Sequence, residues 1–295
     1  MNTEQILAGL AYLILAPILG GLIAGMDRKI TAKMQGRVGP PLFQPFYDVL
    51  KLFEKEKVVV SRSQNFYVLA YVVFMLFTGA LFFSGGDILL VIFALTLAHV
   101  FLVLGAYSVN SPYSYLGAER ELIQIMAFEP MIILTTVGMY MVSKLTIDGG
   151  SFRVWDIATL TTPVIYYIPG LFLGFIYVLT IKLRKSPFDL STSHHAHQEL
   201  VKGLTTEFSG STLGRIEIAH WYETVLLLGF VYLFFGFNPL LAIAVILIAY
   251  FFEIFLDNTS ARVKWPLALT SSWAIAAVLG LVNISLLYFI NGGGL

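Results

Sequence analysis

Eight long apolar stretches run through the chain, and they constrain its fold more than any other feature. They lie at about 4–26, 66–84, 87–108, 122–143, 163–182, 220–237, 239–257 and 266–290. The hydrocarbon core of a bilayer is about 30 Å thick, and a helix of about 20 apolar residues crosses it. Backbone amides in lipid must be satisfied within their own segment, so helices are the expected spanning elements. We therefore predict an all-α polytopic membrane protein with about eight transmembrane helices, in a single integral membrane domain over residues 1–295.

Composition and charge agree with a membrane protein and predict its orientation. Hydrophobic residues make up 58% of the chain and charged residues 12%, too little polar surface for a soluble domain. Of the 18 lysines and arginines, all but Lys144 and Arg153 fall at one face of the predicted bundle. By the positive-inside rule that face is cytoplasmic, so both termini are expected outside a cell membrane. The predicted cytoplasmic loops are about 27–65, 109–121, 183–219 and 258–265.

The residue inventory limits the chemistry that the chain itself performs. It has no cysteine, and therefore neither disulfides nor a cysteine-ligated iron–sulfur cluster. No basic patch is interleaved with aromatic residues, so a nucleic-acid partner is not expected. His194, His195 and His197 lie close together, but their spacing is not typical of a zinc site. A pH-responsive hydrogen-bonding cluster at a subunit boundary fits them better. We predict no metal, cofactor or catalytic site in this chain.

The first cytoplasmic loop contains a short segment in which apolar and charged residues alternate with a helical period. The apolar residues are Phe46, Val49, Leu50 and Phe53, and the charged ones are Asp48, Lys51, Glu54 and Lys55. This pattern predicts an amphipathic helix lying along the inner membrane interface.

Ionisable residues also occur in the apolar stretches, where they are costly to keep and usually face a protein or water-filled interior. Those within the stretches are His99, Glu129, Glu223, Glu253 and Asp257, and those at their cytoplasmic ends are Glu119, Glu121, Glu217 and His220. Glu121 and Glu129 lie on one helical face, a spacing that lets both line a polar path. Each carboxylate either pairs with a basic or phenolic group for packing, or exchanges protons. We favour proton exchange for Glu129 and Glu253, and a neutral, hydrogen-bonded core histidine for His99.

Three motifs follow one another in the cytoplasmic loops. The first loop contains Arg37–Pro45 (RVGPPLFQP) and Lys51–Glu56 (KLFEKE). The second contains Gly117–Arg120 (GAER), followed by Glu129–Pro130. The third contains Pro187–Leu190 (PFDL), Glu199–Gly203 (ELVKG) and Glu207–Gly210 (EFSG). With these motifs, and over essentially its whole length, the chain resembles the membrane heel subunit of respiratory complex I, the subunit 1 or NuoH family.

The third loop departs from the quinone-reducing members of that family, which have acidic residues directly after Pro-Phe-Asp-Leu. This chain has Ser191–Gln198 (STSHHAHQ) there, a run that resembles the Ech-type and Mbh-type energy-converting membrane-bound [NiFe] hydrogenases. The resemblance implies a non-redox membrane subunit of a ferredoxin-oxidising, ion-translocating hydrogenase complex, with no complete active site of its own. Nickel–iron and iron–sulfur centres would lie in hydrogenase large and small subunits and in a ferredoxin-like iron–sulfur subunit. Antiporter-like subunits would be its partners in the membrane.

The resemblance also implies roles for individual residues. The proton pathway and coupling route would use Glu119, Glu121, Glu129, Glu199, Glu207 and Glu253. Docking between loops and with partners would use Arg37, Arg120, Asp189, His194, His195 and His197. The alternatives are the heel subunit of a quinone-reducing complex I or of a related sulfur-reducing complex, a stand-alone ion transporter, and a purely structural anchor.

Overall fold

The chain folds into helices over the residues that the structure, a computed structural model, describes: 3–56, 58, 61–147, 149–192 and 202–290. The helices are α1 (Thr3–Met34), α2 (Gln44–Glu54), α3 (Arg62–Phe83), α4 (Ile88–Tyr107), α5 (Pro112–Ser143), α6 (Val154–Ala158), α7 (Val164–Tyr167), α8 (Pro169–Lys182), α9 (Gly210–Leu233), α10 (Pro239–Thr259), α11 (Trp265–Ile275) and α12 (Val282–Ile290). A π-helical segment, Ala276–Leu281, joins α11 to α12. Within the described ranges, β pairing is limited to an isolated bridge between Asp87 and Arg153. The all-α prediction is confirmed.

Seven helices in the described part of the chain are long and apolar enough to cross a membrane. They are α1, α3, α4, α5, α9, α10 and the continuous run Trp265–Ile290. An eighth apolar helix, α8, has 14 residues. At 1.5 Å per residue it is about 21 Å long, shorter than the hydrocarbon core of about 30 Å. The prediction of a polytopic membrane protein with about eight helices is confirmed.

The predicted fifth span is interrupted rather than continuous. Helix α7 ends at Tyr167 and α8 begins at Pro169, whose ring nitrogen cannot donate the bond that would continue the helix. Ile168 between them has φ −128° and ψ 49°, outside the helical region. The side chain of Asn283 on α12 bridges the break. Its Oδ1 accepts from the Leu171 amide at 3.2 Å, and its Nδ2 donates to the Tyr167 carbonyl at 3.1 Å.

Helices α4, α5 and α9 form the centre of the bundle. The buried share of their most apolar window is 56% for α4, 56% for α5 and 61% for α9. Helices α1 and α10 and the last span are peripheral, with 28%, 22% and 17% buried. The buried polar groups of these helices, among them His99, Glu121 and Glu223, are therefore enclosed by protein rather than by lipid.

Ion pairs between loops bring several helix ends together. Lys185 of the third loop pairs with Asp27 near the end of α1 and with Asp257 near the end of α10. Asp189, in the same loop, pairs with Arg262 after α10. The third loop is therefore attached to α1, to α10 and to the segment that follows α10.

The predicted amphipathic helix is α2, which packs against α1 and α9. Val49 faces this contact and is buried, whereas Tyr47 on the opposite side is 59% exposed. The ring of Phe46 lies against Gly21 of α1, where an added Cβ would overlap it, and 5.1 Å from the Trp221 ring of α9. A glycine in α1 is thus required for the aromatic side chain that holds α2 in place.

Candidate functional site

Seven ionisable or phenolic side chains meet in the centre of the bundle, below the third loop. We call them the central cluster, and they are Tyr71, His99, Glu121, Lys182, Arg184, His220 and Glu223. Tyr71 is fully buried, and His99, Glu121, Lys182 and Glu223 are only 1%, 3%, 6% and 4% exposed. An ion buried in this way costs several kcal/mol unless close partners compensate it, so the pairing within the cluster determines what it can do.

The inner half of the cluster is built around one carboxylate. Nε2 of His99 lies 2.9 Å from Oε1 of Glu223, and Nζ of Lys182 lies 3.4 Å from both of these atoms. Nζ also lies 3.9 Å from the centroid of the Phe128 ring, a cation–π contact. The other ring nitrogen of His99, Nδ1, is 2.8 Å from the Leu95 carbonyl oxygen. Glu223 is therefore held by two nitrogen groups deep inside the bundle.

The outer half attaches the third loop to a second carboxylate. Arg184 donates to Oε1 of Glu121 at 2.9 Å, and Ser191 donates to Oε2 of the same group at 2.5 Å. Arg184 also donates to Nε2 of His220 at 2.7 Å. Burial opposes the charge of Arg184, but the neighbouring carboxylates, Glu121 first, raise the pKa of its guanidinium above the usual value. Arg184 is therefore a permanent cation at the junction between loop and bundle.

The two halves meet at His220. Its Nδ1 lies 3.2 Å from the Tyr71 hydroxyl and 3.6 Å from Oε2 of Glu223. The second distance exceeds a hydrogen bond, so a proton crossing it requires a small movement or an intervening water molecule. Apart from the gap between His220 and Glu223, neighbouring ionisable side chains are in contact from Arg184 in the third loop to His99.

A second group of charges, which we call the peripheral cluster, consists of Asp27, Lys185, Tyr250 and Asp257. Lys185 forms a close ion pair with Asp27 and lies 3.3 Å from Asp257, while Tyr250 donates to Asp27 at 3.3 Å. Burial works against the charge of Lys185, but the two carboxylates raise the pKa of its ammonium group. The peripheral cluster ties the third loop to α1 and α10.

Glu253 is fully buried in α10, with 0% exposure. In the described part of the chain neither of its carboxylate oxygens meets a donor in hydrogen-bonding geometry, although the Thr180 hydroxyl is nearby. An isolated carboxylate is expensive in such a place. The position is thus compatible with proton exchange, and its role stays a prediction.

Glu129 lies apart from the central cluster, although it shares α5 with Glu121. Thr96 of α4 donates to its Oε1 at 3.2 Å. Glu129 also lines a cavity of 520 Å³ between α5 and the last span, together with Trp273 and part of the π-helical segment. The two carboxylates predicted to share one face therefore have different surroundings: Glu121 lies in the central cluster, and Glu129 borders a mostly apolar cavity.

The remaining predicted pathway residues have less definite surroundings. Glu119 is exposed on α5, and Glu207 is half-buried. The main-chain carbonyl of Glu207 accepts a bond from Gln64 at 3.1 Å. The predictions for Glu199, His194, His195 and His197 lie outside the described residues.

Of the predicted docking residues, Asp189 has the clearest contacts. It is 6% exposed, and its two oxygens accept from Nε and a terminal nitrogen of Arg262 at 2.8 and 2.7 Å. Burial raises the pKa of Asp189 in spite of this ion pair. Arg120 donates to the Leu190 carbonyl at 3.4 Å, so it contacts the third loop. Arg37 is exposed and hydrogen-bonds to Gln35 of its own loop.

Sequence reasoning missed the lysine and arginine members of both clusters. Membrane orientation was the only property inferred from Lys182, Arg184 and Lys185. One signal does distinguish Lys182: it directly follows an apolar run, where its side chain can extend back into the bundle. Its pairing with Glu223 joins distant parts of the chain and leaves no local pattern.

The fold and the site together define a polytopic membrane protein whose buried ionic groups lead inward from one set of loops. The sequence profile of the NADH dehydrogenase family matches residues 7–288, and the chain belongs to that family, in its subunit 1 or NuoH group. The resemblance found in the loop motifs is thereby confirmed. So is a multi-pass location in the cell membrane.

Similar proteins come from more than one kind of complex. Hydrogenase-4 component C of Escherichia coli (strain K12) is 29% identical over 232 residues, covering 73% of this chain and 70% of the relative. The NuoH-type membrane protein of NADH-quinone oxidoreductase from Anoxybacillus flavithermus (strain DSM 21510 / WK1) is 30% identical over 317 residues, covering 94% and 90%. A chain of the archaeal membrane-bound sulfane sulfur reductase has the same fold, with a TM-score of 0.79, 24% identity, and coverage of 95% of this chain and 99% of that one.

Proposed function

We propose that this chain is the membrane anchor and proton-pathway subunit of a ferredoxin-oxidising, ion-translocating membrane-bound hydrogenase complex. Its family comprises membrane subunits of complex I-like and hydrogenase-like complexes. The similarity to Hydrogenase-4 component C and the histidine-rich third loop support the hydrogenase branch. Because the chain has no cysteine, iron–sulfur centres with cysteine ligands belong to partner subunits.

The observation that carries the proposal is the central cluster. Ser191 and Arg184 of the third loop both bond Glu121, and Arg184 continues through His220 toward Glu223. Electron transfer in a cytoplasmic partner changes charge or shape next to this loop. In the low dielectric of the bundle, moving one cation changes the energy of nearby ionised groups strongly. The cluster responds by binding or releasing a proton, which couples electron transfer to ion movement.

Glu121→Gln in the assembled complex tests this proposal. The amide keeps the size of the side chain and an acceptor for Arg184, but it holds no exchangeable charge. We expect ferredoxin-driven ion translocation to be lost while the complex still assembles. Glu54→Gln is the control, because Glu54 is an exposed carboxylate on α2. If translocation per assembled complex were unchanged in the Glu121 variant, the proposed coupling route through Glu121 would be rejected.

A quinone-reducing complex is the second candidate, since the relative from Anoxybacillus flavithermus covers nearly the whole chain at 30% identity. Purification of the intact complex separates the two. A large partner subunit with four nickel-ligating cysteines supports the hydrogenase. Activity that depends on added quinone, without such a subunit, supports the alternative.

A further inference from the structure

Hydrogen-bond direction in the inner half of the central cluster determines where one proton lies. The Leu95 carbonyl can only accept, so Nδ1 of His99 must carry a hydrogen. A neutral imidazole with its hydrogen on Nδ1 has a bare lone pair on Nε2. That atom faces Oε1 of Glu223 at 2.9 Å, and two acceptors do not approach so closely without a hydrogen between them. One further proton therefore lies between His99 and Glu223.

The other histidine of the cluster provides an internal comparison. Nε2 of His220 accepts from Arg184 at 2.7 Å, and a guanidinium can only donate. His220 is therefore a neutral imidazole with its hydrogen on Nδ1. The two histidines are close in the same cluster and differ by one proton.

We infer that His99 and Glu223 form a proton-storing pair, which deepens the proposed function and rests on it. When the pair is loaded, one proton joins Nε2 to Oε1. Release breaks that N–H or O–H bond and forms an O–H bond to a water molecule, leaving a neutral His99 and a carboxylate on Glu223. Lys182, at 3.4 Å from Oε1, then compensates the carboxylate. This role differs from the sequence-based expectation of a neutral core histidine at position 99.

The charges around the pair explain why its occupancy can respond to the third loop. Lys182 faces it from α8, and Arg184 and Glu121 lie on the loop side. Tyr71 of α3 and the α9 residues His220 and Glu217 complete the surroundings. With the pair empty, Lys182 balances Glu223 and Arg184 balances Glu121. With the pair loaded, the buried groups carry one additional positive charge, so withdrawal of Arg184 favours loading.

Infrared difference spectroscopy of the intact complex tests the inference, with histidine isotopically labelled and pH stepped across the neutral range. One histidine band and one carboxyl band are expected to shift together in a single step, because loss of the shared proton alters the hydrogen bonding of both groups. His99→Gln and Glu223→Gln should each abolish both halves of that signal, because one shared proton produces them. His220→Gln is the matched control and should retain the joint signal.

Either of two results would overturn the pair. One is a carboxyl signal that survives unchanged in His99→Gln; the other is a wild-type complex in which no histidine band and carboxyl band shift together. The second result needs no variant, so failure of a variant to assemble leaves the inference testable. The measurement reads equilibrium protonation without turnover. A joint signal combined with normal pumping in Glu121→Gln would reject the proposed coupling route and keep the storage pair.

Discussion

Arg184 and Lys185 are consecutive residues whose side chains reach carboxylates in different clusters. Arg184 bonds Glu121 of α5, whereas Lys185 bonds Asp27 of α1 and Asp257 of α10. Arg184 has a left-handed backbone with φ 51°, which is uncommon outside glycine and costs on the order of 1 kcal/mol. A displacement of these two residues would disturb both clusters together.

Removing the cation of Arg184 should destabilise the bundle more than removing both members of its ion pair. Arg184→Gln leaves Glu121 buried without its partner, and breaking a buried pair in this way costs about 3–5 kcal/mol. The double variant Arg184→Gln/Glu121→Gln contains no uncompensated charge and should recover part of that loss. Thermal unfolding of the purified complex provides the measurement. A double variant no more stable than Arg184→Gln would argue against the pairing.

Lys185 should make stability depend on alkaline pH. Its folded pKa lies above the usual value of 10.5, in spite of burial, because Asp27 and Asp257 favour its charged form. The stabilisation is therefore fully present below about pH 10.5 and is lost as the pH rises through the higher folded value. Lys185→Met should unfold earlier than the wild type at neutral pH, with the difference shrinking in strong alkali. Lys29→Met, at an exposed position of α1, should show no such trend.

Gly25 should be indispensable for the position of the first loop. A Cβ at this residue would overlap the Leu42 carbonyl oxygen, so Gly25→Ala must push the start of α2 away from α1. Overpacking of this kind costs about 1–3 kcal/mol. We expect faster amide hydrogen exchange across α2. Gly9→Ala on the same helix, whose Cβ would lie 3.2 Å from its nearest neighbour, should leave that exchange unchanged.

Glu129 should affect ion translocation without affecting assembly. In Glu129→Gln the side-chain carbonyl still accepts from Thr96, while the exchangeable proton is gone. Positioned acid–base groups contribute about 10²–10⁴-fold to proton transfer, so we expect a loss of at least about tenfold. Initial rates of ferredoxin-driven ion uptake into inverted vesicles measure it. Thr96→Val, which removes the hydrogen bond alone, should have the smaller effect. Equal rates in Glu129→Gln and wild type would exclude Glu129 from the pathway.

Hydropathy predicted the spans because each one is a local property of about 20 residues. It could not predict the break before Pro169, since a proline in the first turn of a helix and a proline that interrupts one occur in the same kind of sequence. The partner of the break, Asn283, lies in a different span. The sequence around Pro169 and the sequence around Asn283 contain no pattern that predicts this contact.

The acidic residues of the candidate site could be predicted from the sequence, but its lysine and arginine could not. A carboxylate in an apolar stretch, such as Glu223, is conspicuous because it is costly. Lys182 and Arg184 end an apolar run at the predicted cytoplasmic face, where basic residues are common for reasons of topology alone. Their participation depends on α8 ending beside α4, α5 and α9, which is a property of the packed bundle.

The last span has the smallest buried share among the candidate membrane helices, at 17%, and would be the natural place for a truncation or a fusion. A truncation there would be harmful, because it would remove Asn283. Without its amide, the Leu171 N–H and the Tyr167 carbonyl would each lose their side-chain partner at the interrupted helix, in a region where lipid offers no replacement. The C-terminal helix therefore acts as an intramolecular splint, and a chain shortened before residue 283 should lose the alignment of α8 that delivers Lys182 to the centre of the protein.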